Sequence, residues 1–264
     1  NLFRRFFAEG AFNMAFVPMF SKKLEAGDDA LKFAQDAFVG MTFILTIFTV
    51  VGIIFMPLLV TAMASGFLGD TRFDLAVYYG RIAFPYILFI SLSALLSGVL
   101  NATGRFVAAA AAPVLLNVIF IGFMIMAAIV WTWSESATQS AENAVRLYVG
   151  DWLAIAVPVA GLAQLGLVWI AAARAGFSMR LGLPKMTPAL KRLALIAAPA
   201  ALAGGVVQIN LLVGRQVASY FDGAVAWLNY ADRLYQLPLG VVGIAIGVVL
   251  LPDLSRRLRA GDEA

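Results

Sequence analysis

Cysteine and histidine are both absent from the 264 residues, and charged residues make up only 13% of the chain. Without thiol or imidazole there is no disulfide, no thiolate nucleophile, no imidazole base and no His/Cys metal site. The scarcity of charge excludes more. A soluble domain carries about 25% charged and under about 50% apolar residues, whereas 62% of this chain is apolar. A soluble globule of this length has no core large enough to hide that excess. A disordered tail, a nucleic-acid binder and a soluble enzyme are therefore poor descriptions. With a mean hydropathy of +0.90, the composition is that of a polytopic helical membrane protein. In that class the net charge of +4 reflects Lys and Arg on cytoplasmic loops. No leader precedes Arg4 and Arg5, so the chain reads as an internal piece of a longer protein.

About 20 mostly apolar residues span the hydrocarbon of a bilayer. Seven runs qualify: Leu2–Phe20, Ala37–Ala62, Ile82–Leu100, Val107–Val130, Trp152–Ala173, Leu193–Val213 and Ala224–Leu251. They are continuous rather than alternating, which argues for helices and against a β-barrel. Trp131, Trp133, Trp152 and Tyr220 sit near their ends, as interfacial aromatics do. The loops set the orientation. One alternate set holds Lys22, Lys23, Lys32, Arg105, Arg174, Arg180, Lys185, Lys191, Arg192, Arg256, Arg257 and Arg259; the other holds only Arg72, Arg81 and Arg146. The first set is expected to be cytoplasmic, with residues 21–33, 101–106 and 174–192 on one side. The Arg174–Arg192 segment, with Gly176, Gly182, Pro184 and Pro188, is the best boundary between two halves. Pro57, Pro85, Pro113, Pro158, Pro199 and Pro238 lie inside the runs, where ordinary kinking competes with a role in movement. Gly240, Gly243 and Gly247 suit close helix packing.

Four basic residues fall inside apolar runs or at their edge: Arg4, Arg5, Arg215 and Arg233. An arginine at the bilayer centre costs about 2.5–3.5 kcal/mol on insertion scales, so each needs a reason. Arg215 lies close enough to the outer surface to snorkel. Arg233 lies about 16 Å along a helix from Asp222, near mid-membrane. Its face carries Asn229, Gln236 and Gly240, a polar and small stripe. A water-filled cavity competes there with an ion pair to Asp232, although adjacent residues point about 100° apart. Arg5 is one turn from Glu9, which suits an intrahelical pair; Arg4 shares its face with Ala8, Ala11 and Ala15. Gln208, Asn117, Ser93, Ser97 and Asn101 read as interhelical hydrogen-bonding groups. A buried guanidinium fork suits phosphate or carboxylate, so the residues point to a transporter of an anionic, amphiphilic substrate. A membrane enzyme would need a paired acid and base, and Glu9 and Asp232 lie on different helices.

The stretches NLFRRFFAEGAFNMAFVPMF, FPYILFISLSALLSGVLNATGRF, AAPVLLN and YADRLYQLPLGVVGIAIGVVLLPDLS occur in that order. Together they resemble the bacterial lipid II flippase family (MurJ, also called MviN), within the multidrug/oligosaccharidyl-lipid/polysaccharide exporter superfamily. The resemblance implies an all-α membrane bundle of fourteen helices in two lobes, of which this chain supplies helices two to eight. Residues 1–173 would be N-lobe helices, 174–192 a cytoplasmic linker, and 193–264 the start of the C-lobe. It implies a non-enzymatic flippase in the bacterial inner membrane, with the C-terminus of the chain cytoplasmic and no cofactor or metal. The substrate would be lipid II, an undecaprenyl-diphosphate-linked disaccharide-pentapeptide, moved to the outer leaflet by alternating access. Arg4 matches the first arginine of the family motif RRxFAEGAF, Glu9 its acidic position, and Arg233 the arginine of YADRL. Arg4 and Arg233 are then expected to hold the diphosphate, with Glu9, Arg5, Asn229 and Gln236 lining or gating the cavity. The alternatives are an exporter of another polyprenyl-linked sugar, a cation-coupled drug exporter and a membrane polyprenyl-phosphate transferase.

Overall fold

A computed structural model describes residues 11–134 and 140–238. Among them the chain forms nine α-helices and no strand. In order they are α1 (Ala11–Glu25), α2 (Ala30–Ile54), α3 (Met56–Ala64), α4 (Thr71–Ala83), α5 (Tyr86–Ala102), α6 (Val107–Ser134), α7 (Ser140–Arg174), α8 (Pro188–Ala218) and α9 (Ala224–Pro238). A 3-10 turn, Ser65–Phe67, links α3 to the loop before α4. Among the described residues, four stretches are long and apolar enough to cross a membrane: Ala30–Ile54, Thr71–Ala102, Val107–Val130 and Val149–Arg174. The chain is an all-α, multi-pass membrane protein, as its composition requires.

Two apolar runs differ from single helices, and proline is the reason. The run Ala37–Ala62 breaks at Phe55, so α2 and α3 are separate. Pro57 brings no N–H and its ring crowds the carbonyl one turn back. The run Ile82–Leu100 is likewise interrupted at Phe84–Pro85, and its apolar span begins earlier, with α4. By contrast Pro18, Pro113, Pro158 and Pro199 sit inside continuous helices. Membrane helices tolerate this where neighbours satisfy the freed carbonyls.

Lipid tails are as apolar as leucine, so helices associate here through close packing and hydrogen bonds rather than through hydrophobic expulsion. The core is aromatic. Phe16 stacks on Phe20 and Phe33 with centroids 5.6 and 5.5 Å apart, and Phe38 meets Trp169 edge-on at 5.0 Å. Leu193 of α8 is fully buried in the same cluster. Two amides cross between helices. Asn13 Nδ2 donates to the Ala94 carbonyl at 3.3 Å, and buried Gln164 Nε2 donates to the Ala112 carbonyl at 2.7 Å. Of the groups expected to bond between helices, Ser93 donates to the Phe89 carbonyl of its own helix, Asn117 is exposed, and the side chain of Gln208 lies outside the described residues.

Residues 175–187 follow α7 without helical structure. Gly176, with φ +91°, lets the chain reverse, and the Phe177 N–H caps the Ala172 carbonyl at 2.9 Å. Phe177 then packs edge-on against Phe20 at 5.7 Å. Gln35, near the start of α2, clasps the backbone of Arg180: its amide donates to the Arg180 carbonyl and accepts the Arg180 N–H at 2.8 Å. The α1–α2 turn and this linker therefore share one end of the bundle, as the charge distribution demands.

Candidate functional site

Arg4, Arg5 and Glu9 lie outside the described residues, as do Gly240, Gly243 and Gly247. Asn229, Arg233 and Gln236 lie within α9, which begins after the turn at residues 219–223. Arg233 is ten residues beyond Gly223, about 15 Å down the helix. Arg233 and Asn229 are exposed and Gln236 is half-buried. Asn229 Nδ2 donates to the Val225 carbonyl at 2.9 Å, and Gln236 Nε2 donates to Asp232 Oδ2 at 2.7 Å. Asp232 is thus engaged by Gln236, and among the described residues Arg233 makes no ion pair. The intrahelical neutralisation weighed from the sequence is not what α9 adopts.

The best-built polar arrangement lies at the C-terminal end of α8, in the turn that leads into α9, and the sequence did not single it out. The 3-10 turn after α3 meets the turn between α8 and α9. The Gly66 N–H donates to Ser219 Oγ at 2.9 Å, and the Ser65 N–H to Gln216 Oε1 at 3.1 Å. Ser65 Oγ bonds Tyr220 OH at 2.7 Å and also accepts from the Gln216 amide. Gly66 allows the approach: a Cβ there would lie 2.5 Å from the Ser219 carbonyl carbon. Beside this contact, Arg72 NH1 reaches Asp222 Oδ1 at 2.8 Å while its Nε holds Asp70 Oδ2 at 2.5 Å. The guanidinium also covers the Phe67 ring at 5.0 Å. Asp70 caps α4, accepting the Arg72 N–H at 3.0 Å; that bond first, and the Arg72 side chain second, hold its carboxyl below the ordinary range.

Magnitudes rank these contacts. Arg72 and Asp222 are 38% and 95% exposed, and ion pairs so open to solvent contribute about 0–1 kcal/mol. Ser219 is fully buried, so its hydroxyl has no water to fall back on if the Gly66 N–H is withdrawn. The backbone contact, not the salt bridge, is the stronger part of the joint. At its opposite end α8 is also docked: Leu193 is buried in the aromatic core, and Leu190 Cδ2 would lie 3.1 Å from a Cβ on Gly40. Thus α8 is held at both ends by helices that precede the linker. The signals available in sequence were two turns, SGFLGD and SYFDG; nothing in either specifies the other as its partner.

Broken membrane helices, a bundle clasped at both ends of α8 and a mid-helix arginine with no ion pair among the described residues define a multi-pass helical membrane protein. All 264 residues match the family described as lipid II flippase MurJ, and the chain belongs to that family. It is similar to the probable lipid II flippase MurJ of Rhizobium tropici, with 46% identity over 99% of this chain and 48% of that protein. The lipid II flippase MurJ of Burkholderia cenocepacia is 40% identical over 97% of this chain and 48% of its own. The chain spans about half the length of the curated relatives it matches. A solved structure described as lipid II flippase MurJ, inward closed conformation, superposes with a TM-score of 0.73. It is 23% identical and covers 97% of this chain and 50% of that one, which establishes the shared fold.

Proposed function

We propose that this chain forms half of a lipid II flippase, carrying a prenyl-diphosphate-linked peptidoglycan precursor from the inner to the outer leaflet of the bacterial inner membrane. The observation that carries this reading is the family match along every residue, with relatives of that name at up to 46% identity. Residues 1–173 act as the N-lobe, 174–192 as the cytoplasmic linker and 193–264 as the start of the C-lobe, and the chain's C-terminus is cytoplasmic. Arg233 and Arg4 grip the diphosphate. A guanidinium offers a planar pair of N–H donors that match two phosphate oxygens, and two such forks fit one diphosphate. The geometry of α9 supports this, because Asp232 is occupied by Gln236 and leaves the Arg233 charge for a ligand. Asn229 and Gln236 add neutral donors on the same face, while Arg5 and Glu9 exchange partners as the cavity closes. The reaction moves no covalent bond, so the protein's work is binding, desolvation and alternation. In the arrangement described here the outer joint is shut, which supports a state closed to the outside.

The test uses the full-length protein and leaflet-specific detection of lipid II. Arg233→Ala abolishes transfer while leaving thermal unfolding largely unchanged, since an unpaired charge contributes nothing to the empty fold. Arg233→Lys restores it only in part, because an ammonium makes no bidentate contact. Wild-type transfer by Arg233→Ala would overturn the diphosphate role.

A further inference from the structure

Between residues 174 and 192 the chain carries five basic side chains, Arg174, Arg180, Lys185, Lys191 and Arg192, and no acidic one. All five are exposed. Among them, Leu181, Leu183 and Met186 are 70, 88 and 72% exposed, three large apolar side chains within six residues. A loop in water seldom displays such a cluster. This loop, however, cannot leave the membrane surface. The apolar span of α7 runs to Arg174, α8 begins at Pro188, and the first half of the linker is pinned by Phe177, by buried Met179 and by the Gln35 clasp on Arg180. The second half, free of such contacts, is the part that turns its apolar side chains outward. The apolar phase within its reach is the bilayer, and the basic flank selects an anionic one.

We propose that residues 180–186 are an interfacial anchor, inserting Leu181, Leu183 and Met186 at the acyl-chain boundary of an anionic leaflet while Arg180 and Lys185 engage lipid phosphates. The linker between the two halves is then a lipid-binding element whose position depends on headgroup charge. From the functional reading this takes only the multi-pass topology, and its test involves no substrate, so the two can fail separately.

Gly182 lies between the two leucines in open space, so Gly182→Cys, in a full-length background with any cysteines outside these residues replaced by serine, accepts a polarity-sensitive fluorophore without a clash. The labelled full-length protein is reconstituted in phosphatidylcholine vesicles with or without 30% phosphatidylglycerol, as the chosen test composition of about that anionic content. Nitroxide lipids quench the probe, more strongly in the anionic vesicles, and 1 M salt as a test condition removes the difference, with a Debye length of about 3 Å. Each basic side chain near an anionic surface is worth about fivefold in partitioning, so Arg180→Gln with Lys185→Gln shifts insertion about 25-fold. Leu181→Asp with Leu183→Asp abolishes quenching; both side chains are solvent-exposed, and an unchanged melting temperature verifies the fold. Equal quenching in the two lipid mixtures overturns the proposal. So does a probe in an apolar environment that nitroxide lipids do not reach, which would mean that protein covers the linker.

Discussion

Gly66→Val is the sharpest perturbation of the joint between the 3-10 turn and the α8–α9 turn. The new side chain starts with a Cβ 2.5 Å from the Ser219 carbonyl carbon and 2.6 Å from the Tyr220 nitrogen, both backbone atoms with no rotamer to escape into. The two turns must separate. Separation breaks the Gly66–Ser219 bond, the Ser65 N–H bond to Gln216, and the Ser65 hydroxyl bonds to Tyr220 and Gln216. Four bonds at about 0.5–1.5 kcal/mol each give about 2–6 kcal/mol, and water entering between the parted turns offsets part, leaving about 2–3. If these turns part during alternating access, that energy moves the equilibrium about 30- to 150-fold towards the open arrangement. Cysteines at Arg72 and Asp222, whose side chains meet at 2.8 Å, allow a short bismaleimide to report closure in membranes of cells making the full-length protein. Cross-linking falls in the Gly66→Val background, whereas Arg72→Ala alone, removing an exposed pair, changes thermal stability by less than about 1 kcal/mol. Unchanged cross-linking together with an unchanged melting temperature in Gly66→Val would refute the contact.

Gly52→Val forces a Cβ into the ring of buried Phe84, which packs directly on Gly52; overpacking of about 1–3 kcal/mol lowers the unfolding temperature in detergent. Gln164→Ala loses the bond to the Ala112 carbonyl, worth about 0.6 kcal/mol in membrane proteins, and leaves a cavity as well. Gln164→Leu is milder in the same melting assay, because Gln164 Oε1 has no hydrogen-bond partner in its buried position and hydrocarbon suits it. Asp70 has a depressed carboxyl pKa, so its contribution to stability is complete above the ordinary value of 3.8 and is lost as pH falls through the lower folded-state value. Wild type and Asp70→Asn should therefore converge in unfolding temperature as the pH drops below 3.8, while differing at pH 6; a constant difference would rule out the capping charge.

Composition alone determined the solvent. An apolar fraction of 62% has no aqueous solution, and continuous runs can satisfy their backbone in lipid only as helices. That two of the basic segments share one end of the bundle was legible too, because Lys and Arg bias is a local count, and the Gln35–Arg180 and Phe20–Phe177 contacts keep those two segments together. Depth and helical spacing picked out Arg233 and its stripe, and the motif YADRL pointed to the same arginine. Breaks at Pro57 and Pro85 were readable as candidates, but not distinguishable from Pro113, Pro158 and Pro199, which the helices absorb. Whether a proline breaks a helix depends on what packs beside the freed carbonyl, and that is a tertiary fact. The same holds for the joint between the two turns. Ser65, Gly66, Gln216 and Ser219 are ordinary turn residues in sequence, separated by about 150 positions. They become a lock because α8, held at its other end by Leu193, presents one turn to the other at backbone distance. Pairing between distant segments depends on the summed packing of every intervening helix, so no local pattern encodes it.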